Sequence, residues 1–527
     1  LPLKTQRIIV IGAGIGGLTA ALELAHNGFD VTVVESAAAP GGKMRTLPSP
    51  AGPVDAGPTV FTMPWVFEQL FDSLGESLEE HLTLHPLGII ARHHWRGAPT
   101  LDLFADAAHS REAIGTAFGG RAARQFDRFN ARARRLFDAV RDPVMTAADP
   151  TPLSVTRATL PRAGGLLRDM APHRSFAGML DHGFSDPRLR QLFGRYATYV
   201  GGSPYLSPGI LALIWHAEAS GVSCVAGGMN AVARALESMA KARGVTFRYR
   251  STARRIRLAD GRAAHVELAD GEVLDAASVL FNGDPAALAD GLLGDDIRPA
   301  TPPRPRGKRS LSAWVWTFAA DPGAAPLTHH NVCFSDDPRA EFDELFRIGR
   351  RPKDPTLYVC AQDRLAADAP GGPERFQIIM NAPANGDVIT PTDQEIRQCE
   401  TMVFNRLAEA GLHLSPPEAE NALTTPWDFA TLFPGTGGAI YGTSPHGMMA
   451  TFRRPRARSA LPGLYLAGGA VHPGPGVPMA ALSGRQAAAA IMADRASISM
   501  SRRTAMPGGT STDSRTTASA VSRSSAS

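Results

Sequence analysis

The stretch RIIVIGAGIGGLTAALELAHNGFDVTVVES, Arg7 to Ser36, decides the fold. An apolar run of strand length spans Arg7 to Ile11. Glycines follow at Gly12, Gly14 and Gly17. Leu18 to Asn27 carries apolar residues at helical spacing, and Gly28 stops it. A second apolar run, Val31 to Val34, ends in Glu35. Strand, GxGxxG, helix, strand and acid in this order form a dinucleotide-binding βαβ unit. Gly12 makes the tight turn, Gly14 admits a pyrophosphate to the backbone, and Gly17 lets helix and strand pack closely. The helix start turns free N–H groups and a positive dipole end toward the phosphates. Glu35 stands where an acid would hold a ribose hydroxyl.

The rest of the chain sets limits around that unit. Its 527 residues, 44% hydrophobic, allow two domains or one with a large insertion. The net charge is +4, but from Ser497 to Ser527 four arginines face a single aspartate. The body is therefore nearly neutral, which excludes a nucleic-acid-binding body with a basic face. Cys224, Cys333, Cys360 and Cys399 are scattered without a CxxC, so neither a disulfide framework nor a zinc site is expected. A strand signal beginning at Arg7 leaves no secretory leader in view. No apolar run is long enough to span a membrane. Residues 497–527, rich in Ser, Thr and Arg, read as a disordered tail.

Downstream, PGGKMRT places Gly41, Gly42, Lys43 and Arg45 shortly after Glu35. A second glycine pair suggests another backbone approach to the same cofactor, and the cations can offset pyrophosphate charge. VDAGPTVF then adds a strand-to-turn element with Gly57, Pro58 and Thr59. Near the other end, GLYLAGGAVHPGPGVPMAALSGRQAA, Gly463 to Ala488, runs from a short strand through Gly468 and Gly469 into an Ala-rich helix. That helix opens near Val477, Pro478 and Met479, and proline suits a first helical turn.

This set of motifs resembles the amine-oxidase-like FAD superfamily. The resemblance implies FAD held by three separated pieces: 1–75, 224–303 and 429–496. Gly468 and Gly469 would pass beside the phosphates and ribityl chain. The helix start at Val477, Pro478 and Met479 would face the pyrimidine end of the flavin, where its dipole favours a developing negative charge by about 0.3–2 kcal/mol. AGGMNAVARAL and the strand after Gly244 resemble the element whose backbone touches the adenine, which places a contact near Ala253. The family often carries Val there, so Ala253 is a departure. The fold class is then α/β: a Rossmann-like FAD-binding domain built from discontinuous segments, plus a mixed α+β substrate domain with a helical insertion.

The insertions would form the substrate side. Residues 76–223 read as mainly helical from Gly115 onward. Phe126, Phe129, Ala133, Leu136, Phe137 and Val140 make a helical stripe among many arginines. That pattern suits either a basic face on an anionic membrane or a solvated face over a core stripe. Residues 304–428 hold strand-like runs such as SLSAWVWTFA and FQIIMNAP. Patterns for serine hydrolases, zinc proteases, P-loops and EF-hands are missing. The adjacent pairs His93–His94 and His329–His330 do not read as metal ligands. His472 fits either the flavin edge or a structural hydrogen bond. A flavin accepts a hydride itself, so the protein need supply little beyond orientation and dryness.

GGKMRT, AGPTVF, AGGMNAVARAL and HPGPGVP in this order resemble the phytoene-desaturase-type carotenoid dehydrogenases across nearly the whole stretch from Gln6 to Asp494. PSPAGPVDAGPTVFTMPWVFEQLFDSLG, Pro48 to Gly75, carries the resemblance further. It implies FAD-dependent desaturation of an acyclic 1-hydroxylated C40 carotenoid at C3–C4. It also implies a cytoplasmic enzyme attached peripherally to a membrane, with oxygen or a quinone as electron acceptor. Phytoene desaturation, a flavin amine oxidase and a non-enzymatic lipid-binding protein on the same fold are the alternatives.

Overall fold

The computed structural model describes residues 7–160, 163–364, 371–414 and 422–504. β1 (Arg7–Ile11) is the central strand of a parallel five-stranded sheet. On one side it pairs with β2 (Asp30–Val34), which pairs in turn with Thr246–Arg248. On the other side it pairs with Ser278–Phe281, which pairs with Leu464–Leu466. The sheet thus draws on three distant stretches of chain. The strand order reverses next to β1, and the crevice at such a switch point is where doubly wound sheets bind ligands.

Alternation along β1 divides the core in two. Ile8 and Val10 face a helical layer, while Ile9 joins Val34 and Val279 against a small antiparallel sheet over residues 253–275. The helical layer contains α1 (Ile15–His26), Asn230–Ala242 and the long helix Val477–Thr504. α1 and the long helix touch backbone to backbone: a Cβ on Gly484 would overlap the Gly16 carbonyl oxygen. The Arg485–Glu23 ion pair, 2.7 Å, closes the same contact. The long helix runs into the segment read as a tail, because nothing from Ala496 to Thr504 breaks it and the first proline beyond is Pro507. Residues 505–527 of that tail lie outside the described residues.

A seven-stranded, mostly antiparallel sheet forms the second layer. Its order is Ala422–Thr424, Ser312–Ala320, Glu374–Ala382, Leu357–Ala361, His330–Cys333, Ile89–His94 and Leu101–Phe104. The last two strands come from the start of the 76–223 insertion, ahead of Gly115, where its helical reading begins. Helix Asp393–Glu409 covers one face through Cys399, Val403 and Leu407, packed on Trp316, Phe318 and Phe376. A helical lobe, residues 107–219, closes around Phe126, Phe129, Phe193 and Trp215. Its rings meet at angles and offsets favourable for aromatic pairs, such as Phe193–Trp215, 5.4 Å apart and edge-on.

Candidate active site

The glycines of the opening stretch surround one side chain. Asn282, just past strand Ser278–Phe281, donates from Nδ2 to the Gly12 carbonyl at 3.2 Å. A Cβ on Gly14 would lie 2.9 Å from that nitrogen, and one on Gly16 would lie 2.8 Å from Asn282 Oδ1. One on Gly17 would overlap the Gly12 carbonyl oxygen. Gly12 itself has φ +101°, open to glycine at no steric cost. Side chains are therefore excluded here by Asn282 and the neighbouring backbone, and Asn282 reads in sequence merely as part of an Asn-Gly turn.

Glu35 ends β2 with both oxygens engaged. Oε2 accepts from Ala13 N at 2.7 Å, and Oε1 from Ala37 N at 2.8 Å and Ser36 Oγ at 3.2 Å. Arg250 N and Ser251 N donate to the Ala37 and Glu35 carbonyls at 3.0 and 2.9 Å. That contact brings the start of strand Ala253–Ala259, and so Ala253, to the Glu35 end of the crevice. The second glycine pair meets the first: Gly41 N donates to Ala13 O at 2.9 Å, and a Cβ on Gly42 would lie 3.2 Å from Gly14 Cα. Asn230 secures this loop from the other side, donating to the Pro40 and Met44 carbonyls at 3.1 and 2.6 Å. Asp55 holds the turn before Asn230 by accepting from Met229 N at 2.6 Å.

The two cations of the GGKMR motif reach toward the C-terminal half. Lys43 Nζ donates to Ile440 O at 2.7 Å and lies over the Phe433 ring. Burial pulls its pKa down to about 8, against the charge of Asp284, with Arg304 adding to the fall. Arg45 donates to Thr424 Oγ1 at 2.6 Å, yet its Nε is buried without a partner. Asp284 accepts from Ala286 N and forms a two-pronged pair with Arg304 at 2.9 and 3.0 Å.

On the C-terminal side, Gly468 N donates to Ser483 Oγ at 2.8 Å. The Gly469 carbonyl accepts from the buried Arg454 at 3.4 Å, and Arg454 also binds the Tyr441 and Thr443 carbonyls. His472 Nε2 lies 2.9 Å from the Ala147 carbonyl, the structural alternative for this residue. Gly57 lies against the Lys43 carbonyl, and Gln377 Nε2 donates to its carbonyl at 2.9 Å. The next two residues, Pro58 and Thr59, open onto a cavity, as do Val477, Pro478 and Met479 at the helix start.

That cavity measures about 930 Å³, at the upper end of ordinary ligand sites. Its wall is mainly hydrocarbon. Val140, Met145, Ile210, Ile214 and Ile379 contribute, and at the outer end so do Val155, Leu166, Leu167 and Met449. Some of the polar groups near its inner end form a chain. Thr59 Oγ1 lies 2.6 Å from Tyr358 Oη, which lies 2.7 Å from His330 Nδ1. Burial holds His330 well below its usual pKa and His329 at about 4, so both are neutral. The three donors of His329, His330 and Cys360 lie within 4.8 Å of one another. His330 is engaged by Tyr358, and His329 Nε2 lies 3.2 Å from Cys224 Sγ.

The arginine-rich helix, Gly120–Val140, buries its apolar stripe as its spacing predicts. Some of its arginines work inside the protein. Arg135 grips the Asp169 carboxylate at 2.7 and 3.1 Å, and Arg132 donates to the Asp169 and Arg168 carbonyls. Exposed apolar residues instead gather on the neighbouring segments: Leu153 is 80% exposed, Leu160 65% and Leu167 57%. Among the described residues no helix is long and apolar enough to cross a membrane.

A dinucleotide crevice at a switch point, opening on an apolar chamber, defines a class: flavin-dependent oxidoreductases with a Rossmann-like core. Comparison with known proteins agrees. The family model for flavin containing amine oxidoreductase matches residues 15–492. A hydroxyneurosporene desaturase of Cereibacter sphaeroides is 51% identical over 93% of this chain and 98% of its own length. A 1-hydroxycarotenoid 3,4-desaturase of Flavobacterium sp. is 28% identical over 91% and 98%. Wild-type putrescine oxidase bound to putrescine has the same fold, with a TM-score of 0.57 at 16% identity over 93% of this chain and 99% of that one. The chain belongs to the flavin-containing amine oxidoreductase family and, within it, to the phytoene-desaturase-type carotenoid dehydrogenases. It is an oxidoreductase, and FAD is its cofactor. The crevice fits that cofactor: a side-chain-free glycine floor, an acid at the end of β2, and in Arg45 a half-buried cation whose covered Nε has no partner.

Proposed function

We propose that this protein desaturates acyclic 1-hydroxycarotenoids at C3–C4. The observation that carries the reading is the apolar cavity: its inner end lies at Pro58, Thr59 and Val477–Met479, its outer end at Leu166, Met449 and the exposed Leu167. Bound FAD supplies a two-electron acceptor. Gly12, Gly14, Gly17, Glu35, Gly42, Lys43, Arg45, Gly57, Ala253, Gly468 and Gly469 would hold it, with Pro58, Thr59, Val477, Pro478 and Met479 at its reactive end. The chain has three tasks there: to hold a rigid polyene in line, to exclude water, and to present a single carbon–carbon bond. A hydride leaves one carbon of that bond and a proton leaves its neighbour. The new double bond is conjugated with the polyene, which also spreads the charge that develops. The electrons pass on to oxygen or a quinone.

Carotenoids dissolve in membranes, so the enzyme works at a membrane surface to which it attaches peripherally. Leu167, on the cavity wall, and Leu153 and Leu160, next in sequence to the wall residues Pro152 and Thr159, are all exposed and support that placement. They suit it better than the arginines of Gly120–Val140, several of which are engaged internally. The test is product analysis after incubation of FAD-loaded protein with 1-hydroxyneurosporene in liposomes. A product lighter by two hydrogens, with a red-shifted spectrum and a new C3–C4 double bond by NMR, supports the reading. A new double bond elsewhere, or turnover of phytoene alone, contradicts it.

A further inference from the structure

We propose that Arg195 recognises the oxygen atom at the end of the carotenoid and so sets the preference for a hydroxylated over a hydrocarbon chain. The inference rests on the carotenoid reading above. Arg195 is 9% exposed and borders the cavity, and its Nε has no hydrogen-bond partner among the described residues. The nearby acid, Glu218, is already occupied: Tyr196 Oη donates to one oxygen, and Tyr199 Oη to the other at 2.9 Å. The guanidinium lies over both tyrosine rings, 5.5 and 5.0 Å from their centres. Its charge is thus balanced through rings and a shared carboxylate, while a donor remains unused. A buried donor without a partner is costly, and a ligand oxygen removes that cost.

Position gives the inference its specificity. A hydroxyl on C1 is separated from the C3–C4 bond by C2 alone. The group that reads it must therefore stand close to the reacting end of the cavity. Arg195 lines the same cavity as Pro58, Thr59 and Tyr358, and the Tyr358 hydroxyl links Thr59 to His330. The other arginine on the wall, Arg190, also has an Nε without a partner, but it pairs with Asp181 at 3.2 Å and its side chain is 34% exposed, so water competes there with a ligand oxygen. Gln191 and Glu341 are bonded to Ser335. A guanidinium has donors and no acceptor, so the site reads an oxygen lone pair. Sites built to hydrogen-bond a substrate oxygen discriminate strongly against analogues lacking it.

The experiment compares wild type, Arg195→Met and Arg195→Lys, each loaded with FAD, in liposomes. KM and kcat are measured with 1-hydroxyneurosporene, and the inhibition constant is measured for neurosporene, which lacks the hydroxyl. Arg195→Met is expected to raise KM for the hydroxycarotenoid roughly tenfold or more while leaving the neurosporene inhibition constant unchanged. Arg195→Lys, which keeps a cationic donor, is expected to recover part of the loss. An unchanged KM in Arg195→Met overturns the proposal. So does an equal rise for both ligands, which is the mark of a structural defect. A wild-type enzyme that ignores 1-hydroxyneurosporene overturns the functional reading itself, and this inference with it.

Discussion

Replacing Glu35 by Ala removes the acceptor of two short backbone hydrogen bonds, from Ala13 N at 2.7 Å and Ala37 N at 2.8 Å. Hydrogen bonds to a charged group contribute about 1.5–3 kcal/mol each. Water can replace the carboxylate at the half-exposed Ala37 bond, but not readily at the buried one. A loss of about 2 kcal/mol in the apoprotein follows, seen as a melting temperature lower by a few degrees. With the proposed role of this carboxylate as ribose ligand, the holoenzyme loses a further charged hydrogen bond. That corresponds to an FAD dissociation constant larger by about ten- to a hundredfold. Glu35→Gln keeps one acceptor but turns an NH2 toward a backbone N–H, so it should fall between wild type and Glu35→Ala. Thermal melting of the apoprotein and titration of FAD by fluorescence quenching measure the two effects separately. A dissociation constant within twofold of wild type would refute the ribose role, even if melting falls as expected.

Other outcomes follow from the same geometry. Gly17→Ala should abolish FAD retention, because its Cβ overlaps the Gly12 carbonyl oxygen, whereas Gly28→Ala, with open space around it, should cost only backbone strain and keep FAD; equal retention of flavin absorbance in both variants would count against the crevice. Lys43 has a pKa of about 8 in the folded chain against an ordinary 10.5, so the unfolded chain binds more protons between those values and stability gains from rising pH there. The apoprotein stability of wild type relative to Lys43→Met should therefore climb from pH 8 to 10.5, and a pH-independent difference in denaturant midpoints would contradict the burial of the ammonium. Replacing Leu153, Leu160 and Leu167 together by Ser should reduce flotation with liposomes without altering FAD content; unchanged flotation would remove these leucines from the membrane contact.

The cofactor half of the molecule was legible because its constraints are local in sequence. GxGxxG, the acid at Glu35 and the glycine pair before Lys43 each sit inside one turn or one βαβ unit, where backbone geometry leaves few residue types. What escaped was contributed by strands far away. Asn282 fills the space between Gly12, Gly14 and Gly16, but only because Ser278–Phe281 pairs with β1, and register across 270 positions leaves no periodic trace. Asp55 and Asn230 brace glycine turns for the same reason. The arginines of Gly120–Val140 carried a legible stripe, yet the partner Asp169 lies on another segment, so spacing alone left membrane and solvent readings open. Ile89–His94 and Leu101–Phe104, ahead of the helical part of the insertion, went unassigned because their sheet neighbour, His330–Cys333, is supplied by a distant part of the chain.

The central claim is that one crevice and one cavity act together: electrons leave a hydroxycarotenoid in the cavity and arrive at FAD in the crevice. The direct measurement is an anaerobic incubation of FAD-loaded protein with liposomes carrying 1-hydroxyneurosporene, phytoene or no carotenoid, following flavin absorbance and the polyene spectrum together. Flavin bleaching in step with a red-shifted polyene, with 1-hydroxyneurosporene and not with phytoene, is the predicted result. A flavin that stays oxidised with both carotenoids would contradict it.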